Sequence, residues 1–205
     1  MIASALFAAP AAACSVGMGY RVPNTLELVK RADAIVVAEV VGGEAAEGEG
    51  DPQVVFRPTH RIKGKALPGD LRLSGILASE TEPAALSAHD ELAEPNPDAL
   101  TGGCRRYVFE RGRQIVLFLE EKGGVLEIAT YPSARSLEDV RDQYAPWVVA
   151  IELYLRIASL PEKKQCAALR KERTRYWTLS ADLRAPLYAR DIERHIADMG
   201  DACRG

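Results

Sequence analysis

The chain has 205 residues, of which 47% are hydrophobic and 27% charged, and its formal net charge is −3. That balance describes a globular unit, alone or with an appendage, that can bury a core, and it excludes wholesale disorder. A mildly acidic chain has no electrostatic drive toward nucleic acid or an anionic bilayer. The basic cluster Arg170, Lys171, Arg173 and Arg175 is interleaved with Glu172 and reads as a solvated helix face.

Residues 1–13, MIASALFAAPAAA, carry no charge and end in Ala11-Ala12-Ala13 directly before Cys14. Small residues in that spacing are the mark of a signal-peptidase site. The stretch is shorter than the roughly 20 apolar residues that span a bilayer. Residues 1–13 are therefore expected to be the remnant of a signal peptide whose basic start lies upstream. The mature protein then begins at Cys14 and works in the periplasm or outside the cell, without stable membrane insertion once the leader is removed.

The four cysteines, Cys14, Cys104, Cys166 and Cys203, form no C-x-x-C pair and sit at no zinc-finger spacing to histidine. An even number of widely spaced cysteines in an exported chain reads as two disulfides. Three connectivities are open. The division of the chain into two halves favours Cys14–Cys104 and Cys166–Cys203.

In chain order, Asn24-Thr25-Leu26-Glu27 has the pattern of a capping box, and a helix of about two turns follows, ending near Asp33. Residues 34–41 are β-branched and read as a buried strand, with a hairpin tip over 42–52. A second strand over 53–62 is interrupted by Pro58, which belongs at an edge or a bulge. Residues 71–77 alternate with period two, as a half-buried strand does. A long polar loop, 78–103, is either functional or poorly ordered. Residues 115–119 are the strongest core strand, and Gly123-Gly124 turns into a last strand over 125–130. Short strands joined by such turns predict a closed or nearly closed barrel. Beyond Pro132 the character changes. Ser136-Leu137-Glu138-Asp139 reads as a helix cap, Trp147, Val148, Ile151 and Leu155 recur at helical spacing, and further helices are expected after Pro161 and near Pro186.

Cys14-Ser15, the run Leu26 to Val40, Ile62-Lys63-Gly64, Leu67-Pro68-Gly69-Asp70, Cys104 and Gly112 to Leu119 together resemble bacterial netrin-like domains, related to tissue inhibitors of metalloproteinases. The resemblance covers residues 14–131. It implies an OB-like barrel within an α+β fold: a netrin-like domain over 14–132, then a helical C-terminal extension over 133–205. Many relatives open Cys-x-Cys, whereas this chain has Cys14-Ser15-Val16. One usual disulfide partner is missing.

The resemblance also implies a chemistry. In such inhibitors the α-amino and carbonyl groups of the N-terminal Cys chelate the catalytic zinc of a metalloprotease, at the position zinc keeps for water. Here Cys14 takes that role and Ser15 faces the specificity pocket. The plainer reading is that Cys14 only anchors the first segment. Lipidation of Cys14 is a rival, but Ala11 stands where a lipobox has Leu, and acylation leaves three cysteines.

For catalysis the sequence offers little. His60, His89 and His195 fall in a strand, a loop and the tail, and no H-E-x-x-H or G-x-S-x-G motif occurs. His89-Asp90-Glu91 reads as a solvated acidic loop, and His195, beside Glu193 and Arg194, as a surface helix residue. No carboxylate pair in a cleft is apparent. Trp147, Tyr154, Tyr176, Trp177 and Tyr188 read as packing. The expectation is a non-enzymatic binding protein with no cofactor, no intrinsic metal and a protein partner. A structural or interaction module of the cell envelope is the alternative.

Overall fold

The computed structural model describes residues 16–45, 51–88, 92–101, 105–179 and 181–203. Among them the fold is α+β. Helix α1 (Thr25–Arg31) precedes strands β1 (Ala34–Glu44), β2 (Gln53–Lys63), β3 (Leu71–Ser74), β4 (Ile76–Leu77), β5 (Val108–Phe109), β6 (Gln114–Lys122), β7 (Val125–Ile128) and β8 (Leu137–Val140). Helices α2 (Pro146–Ala158), α3 (Glu162–Thr178) and α4 (Ala185–Asp198) follow.

The main sheet runs β3-β2-β1-β6-β7, all antiparallel, with β8 also paired to β6. Strands β1 and β6 lie at its centre and face apolar matter on both sides, which is why their sequences read as hydrophobic runs, interrupted in β1 at Glu39. Val36, Ala38, Val40, Ile115, Leu117 and Leu119 point into a core completed by Val54, Phe56 and Phe109. Ile35, Val37, Val116 and Phe118 point the other way, into a larger core shared with α1 and the tail helices. The tail thus covers the second face of the sheet.

The capping box at the start of α1 is present: the Asn24 side chain accepts from Glu27 N–H, and the Glu27 carboxylate accepts from Asn24 N–H. At the other end, Lys63 Nζ donates to the carbonyls of Val29, at 2.8 Å, and Ala32. A cation there satisfies orphan carbonyls and the negative end of the helix dipole. Gly64, at φ +90, passes so close that a Cβ would lie 2.7 Å from the Asp33 carbonyl oxygen. The Ile62-Lys63-Gly64 motif is therefore a helix stop.

Strand β2 carries Pro58 opposite Ala38, next to a register shift between Val37 and Ala38. Strand β3 pairs with residues 53–56, so among the described residues the outer side of β2 beyond Phe56 has no partner strand and tolerates the missing N–H.

Three expectations are revised. The period-two stretch 71–77 is two strands. It breaks at Gly75, where a Cβ would lie 2.8 Å from the Phe109 ring, and β4 turns away to pair in parallel with β5. Among the described residues no ladder joins β3 to β7, so the sheet is not a closed barrel. Ser136 to Asp139 is not a helix cap either: Leu137–Val140 is strand β8, buried along its whole length, and α2 begins at Pro146.

Candidate functional site

Burying β8 on both faces takes Glu138 and Asp139 out of water with it. Asp139 is compensated by Arg106, whose side chain is fully buried: Nη1 donates to Oδ2 at 2.7 Å and Nη2 to Oδ1 at 3.1 Å. The two-pronged geometry makes it a strong charge-assisted pair. Asp139 Oδ2 also accepts from Ser87 N–H at 2.7 Å, and Ser87 Oγ accepts from Asp139 N–H at 3.0 Å. Glu138 Oε1 accepts from Asn96 N–H at 3.1 Å, but Oε2 has no hydrogen-bond partner. Burial pushes the Glu138 carboxyl up to about 7, against the opposing pull of Ser87, Asn96, Arg106 and Arg135. Burial likewise raises Asp98 above its ordinary range. The long loop is thus held on β8 at Ser87 and Asn96, with Leu92 buried between them in sequence.

A second buried network joins the loop to the tail. Arg135 donates to the carbonyls of Leu92 and Ala93, lies 3.5 Å from Asp191 Oδ1, and sits over the Trp147 ring at 5.1 Å. Asp191 also receives Arg194 Nη2 at 3.0 Å and the Tyr154 hydroxyl. His195 stacks on Tyr154 with ring centroids 4.1 Å apart. Its Nδ1 lies 2.8 Å from the Asp191 carbonyl oxygen, and its Nε2 accepts the Leu26 N–H at 3.4 Å. The network assigns a neutral imidazole with the proton on Nδ1. Burial holds its pKa below the usual histidine range. His195 is therefore not the surface residue expected: it lies on the same α4 face as Tyr188 and Ile192 and closes the contact between α1 and α4.

Above this network lies a cleft of about 410 Å³, between Val22, Pro23 and Asn24 on one side, Ala93 to Pro95 and Leu100 on another, and Arg194, Ala197 and Asp198 on the third. Asn24 Nδ2 donates to Asp198 Oδ2 across it at 3.4 Å. The segment leading into the cleft, residues 16–22, exposes Val16, Met18, Tyr20 and Val22, with Met18 fully in solvent. A turn closed by Tyr20 N–H to the Gly17 carbonyl lifts Met18, and the Tyr20 hydroxyl donates to the Pro132 carbonyl at 2.8 Å. The row of apolar side chains is pinned at its base and free at its tip.

Of the expected site residues, Cys166 and Cys203 are brought together in a disulfide that ties α3 to the end of the chain, with Cα atoms 5.5 Å apart. Cys14, Ser15 and Cys104 lie outside the described residues, as does His89. His60 Nε2 is 3.9 Å from Glu152 Oε1 at a partly exposed position. Sequence reasoning missed Glu138, Asp139, Asp191 and Arg106 as buried charges. Among the described residues no group of three His, Cys, Asp or Glu side chains is placed to hold a metal ion, and no helix is long and apolar enough to cross a membrane.

Compared with known protein families and with curated proteins, the chain matches none.

Proposed function

We propose that the chain is an exported, non-enzymatic protein-binding module that docks through its N-terminal segment. The observation that carries this reading is the row Val16, Met18, Tyr20 and Val22, apolar and exposed on a short segment anchored at Tyr20 and Asn24. Apolar side chains gathered in solvent mark interaction surfaces, and an anchored segment loses little entropy on binding. The Cys166–Cys203 bridge supports an oxidising compartment, periplasmic or extracellular. His195 supports the non-enzymatic reading, because both its nitrogens are committed to backbone contacts.

The netrin-like resemblance sharpens the proposal. The partner it implies is a metalloprotease, with the Cys14 amine and carbonyl on the catalytic zinc and Ser15 at the specificity pocket. An OB-like arrangement of 14–132 belongs to the same proposal, and is supported by the sheet order and by the three register shifts that bend β1 against β2.

The test compares protein beginning at Cys14 with the same protein carrying one extra Ala before it, against zinc endopeptidases with three protein ligands on the metal. Inhibition that falls at least a hundredfold with the added residue supports zinc chelation. Inhibition by neither form, with envelope-protein capture abolished by Met18→Asp and Val22→Asp, leaves the alternative of an interaction module without inhibitory activity. Capture unchanged in the double variant removes the docking segment altogether.

A further inference from the structure

We propose that Glu138 is a proton-operated latch that fastens residues 84–88 and 92–101 onto β8 in acid and loosens them as pH rises toward neutrality. The argument starts from geometry. The two flanks of the loop meet the sheet at adjacent residues of one short strand. Ser87 and Asp139 exchange reciprocal backbone and side-chain hydrogen bonds, and Asn96 gives its N–H to Glu138. The Asn96 amide ties the flanks to one another, donating to the Ala85 carbonyl at 2.9 Å and to Ser87 Oγ at 3.2 Å. Apart from the single turn of 3-10 helix at Pro97–Leu100, these flanks have no regular structure of their own. Their order draws on these bonds, on the buried Leu92 and on Arg135, which donates to the Leu92 and Ala93 carbonyls.

The two carboxyls differ in their compensation. Asp139 has a bidentate guanidinium. Glu138 has one backbone N–H on Oε1, the neutral Ser87 side chain nearby, a buried Oε2 with no hydrogen-bond partner, and cations only at a distance, Arg106 and Arg135. The other charged groups in the cluster are Asp139 and Asp98, both acidic, and neither favours a second negative charge. A buried carboxylate with an idle oxygen is costly, whereas the neutral acid is not. Lifting the loop returns Glu138 to water, where ionisation costs nothing extra.

The sign follows from linkage. A carboxyl that titrates near 7 when fastened and near 4.5 when released binds more protons in the fastened state between those limits. Raising pH through that window favours release, by up to about 300-fold in the opening equilibrium, and the effect levels off above the upper limit. Residues Ala93 to Pro95 and Leu100 form one wall of the 410 Å³ cleft, so release widens the cleft beside the docking segment. The latch stands whether or not that segment binds a metalloprotease.

The experiment is hydrogen exchange on the whole chain between pH 5 and 8, corrected for the intrinsic pH dependence of exchange, with peptides covering 84–101 read against peptides covering β6. Protection of the flanks is expected to fall by one to two orders of magnitude between pH 5.5 and 7.5 while β6 stays constant. Glu138→Gln, neutral at every pH, keeps the flanks protected throughout. His89→Asn leaves the fall intact. Flank protection independent of pH in the wild-type protein overturns the latch, as does a fall that survives in E138Q or disappears in H89N. Should E138Q fail to fold, a carbon-13 titration of the Glu138 carboxyl in the wild-type protein decides instead: a midpoint below 5.5 refutes the proposal.

Discussion

Replacing Arg106 by Met tests how the buried side of β8 is held. The substitution keeps most of the side-chain volume and removes the guanidinium that makes two bonds to Asp139, at 2.7 and 3.1 Å, and a third to the Leu137 carbonyl at 3.4 Å. Asp139 is then a buried carboxylate whose donors are Ser87 N–H and the more distant Asn96 amide. Removing one partner of such a pair costs about 3–5 kcal/mol, because the surviving charge has lost its compensation. For a chain of this size that lowers Tm by roughly 6–20 °C. Equilibrium urea unfolding at pH 7, followed by far-ultraviolet circular dichroism and by Trp147 fluorescence, measures it. The companion is Arg106→Met with Asp139→Leu, which removes both charges. The double variant should be more stable than the single one by at least 1 kcal/mol, since an apolar pair of similar volume is often neutral or better. A single variant within about 1 kcal/mol of wild type, or a double variant worse than the sum of its parts, would refute the assignment of Arg106 as the counter-charge of a buried Asp139.

Four further outcomes follow from other parts of the fold. Replacing Cys166 and Cys203 by Ala opens a bridge with a sequence separation of 37 residues and should cost about 3–4 kcal/mol in urea unfolding, with the m-value unchanged or higher. Gly64→Ala, which brings a methyl group against the Asp33 carbonyl at a left-handed backbone position, should cost about 1–3 kcal/mol by the same measurement, and Lys63→Met about 1 kcal/mol through the lost helix stop. His195→Phe should narrow its stability gap to wild type as pH falls below 6.5. The histidine, whose folded pKa is depressed, binds its proton more readily in the unfolded chain, so its contribution is present above 6.5 and drains away in acid. A gap that widens in acid contradicts the neutral tautomer.

Much of the fold was legible because its signals are local. The capping box at Asn24, the hydrophobic runs of β1 and β6, the glycine pair before β7 and the prolines at the starts of α3 and α4 all act within a few residues of themselves. Strand β8 was not legible. Four residues with two acids look like a helix start until Arg106, Ser87 and Asn96 arrive from elsewhere in the chain. Gly75 was misread for a similar reason: only the approach of Phe109 makes a break of what alternates as one strand. His195 carried a signal that was available. Tyr188, Asp191, Ile192 and His195 fall at helical spacings of three and four, on the face that also holds Ala185 and Ala189, so the imidazole shares a side with the apolar stripe. The charged neighbours conceal it: Glu193 turns to Trp177, and Arg194 is exposed apart from the guanidinium it folds back onto Asp191.

The pairing of β8 with β6 fixes where this protein can be cut. Residues 137–140 hydrogen-bond along Gln114 to Leu117, and the helices after them cover Val116 and Phe118. A fragment stopped at Pro132 would present that length of β6 as a bare strand edge beside uncovered aliphatic surface, the combination that draws chains into one another. Expression of the amino-terminal portion by itself is a recipe for inclusion bodies. Any future dissection of binding should leave the carboxy-terminal third in place and vary side chains within the intact polypeptide.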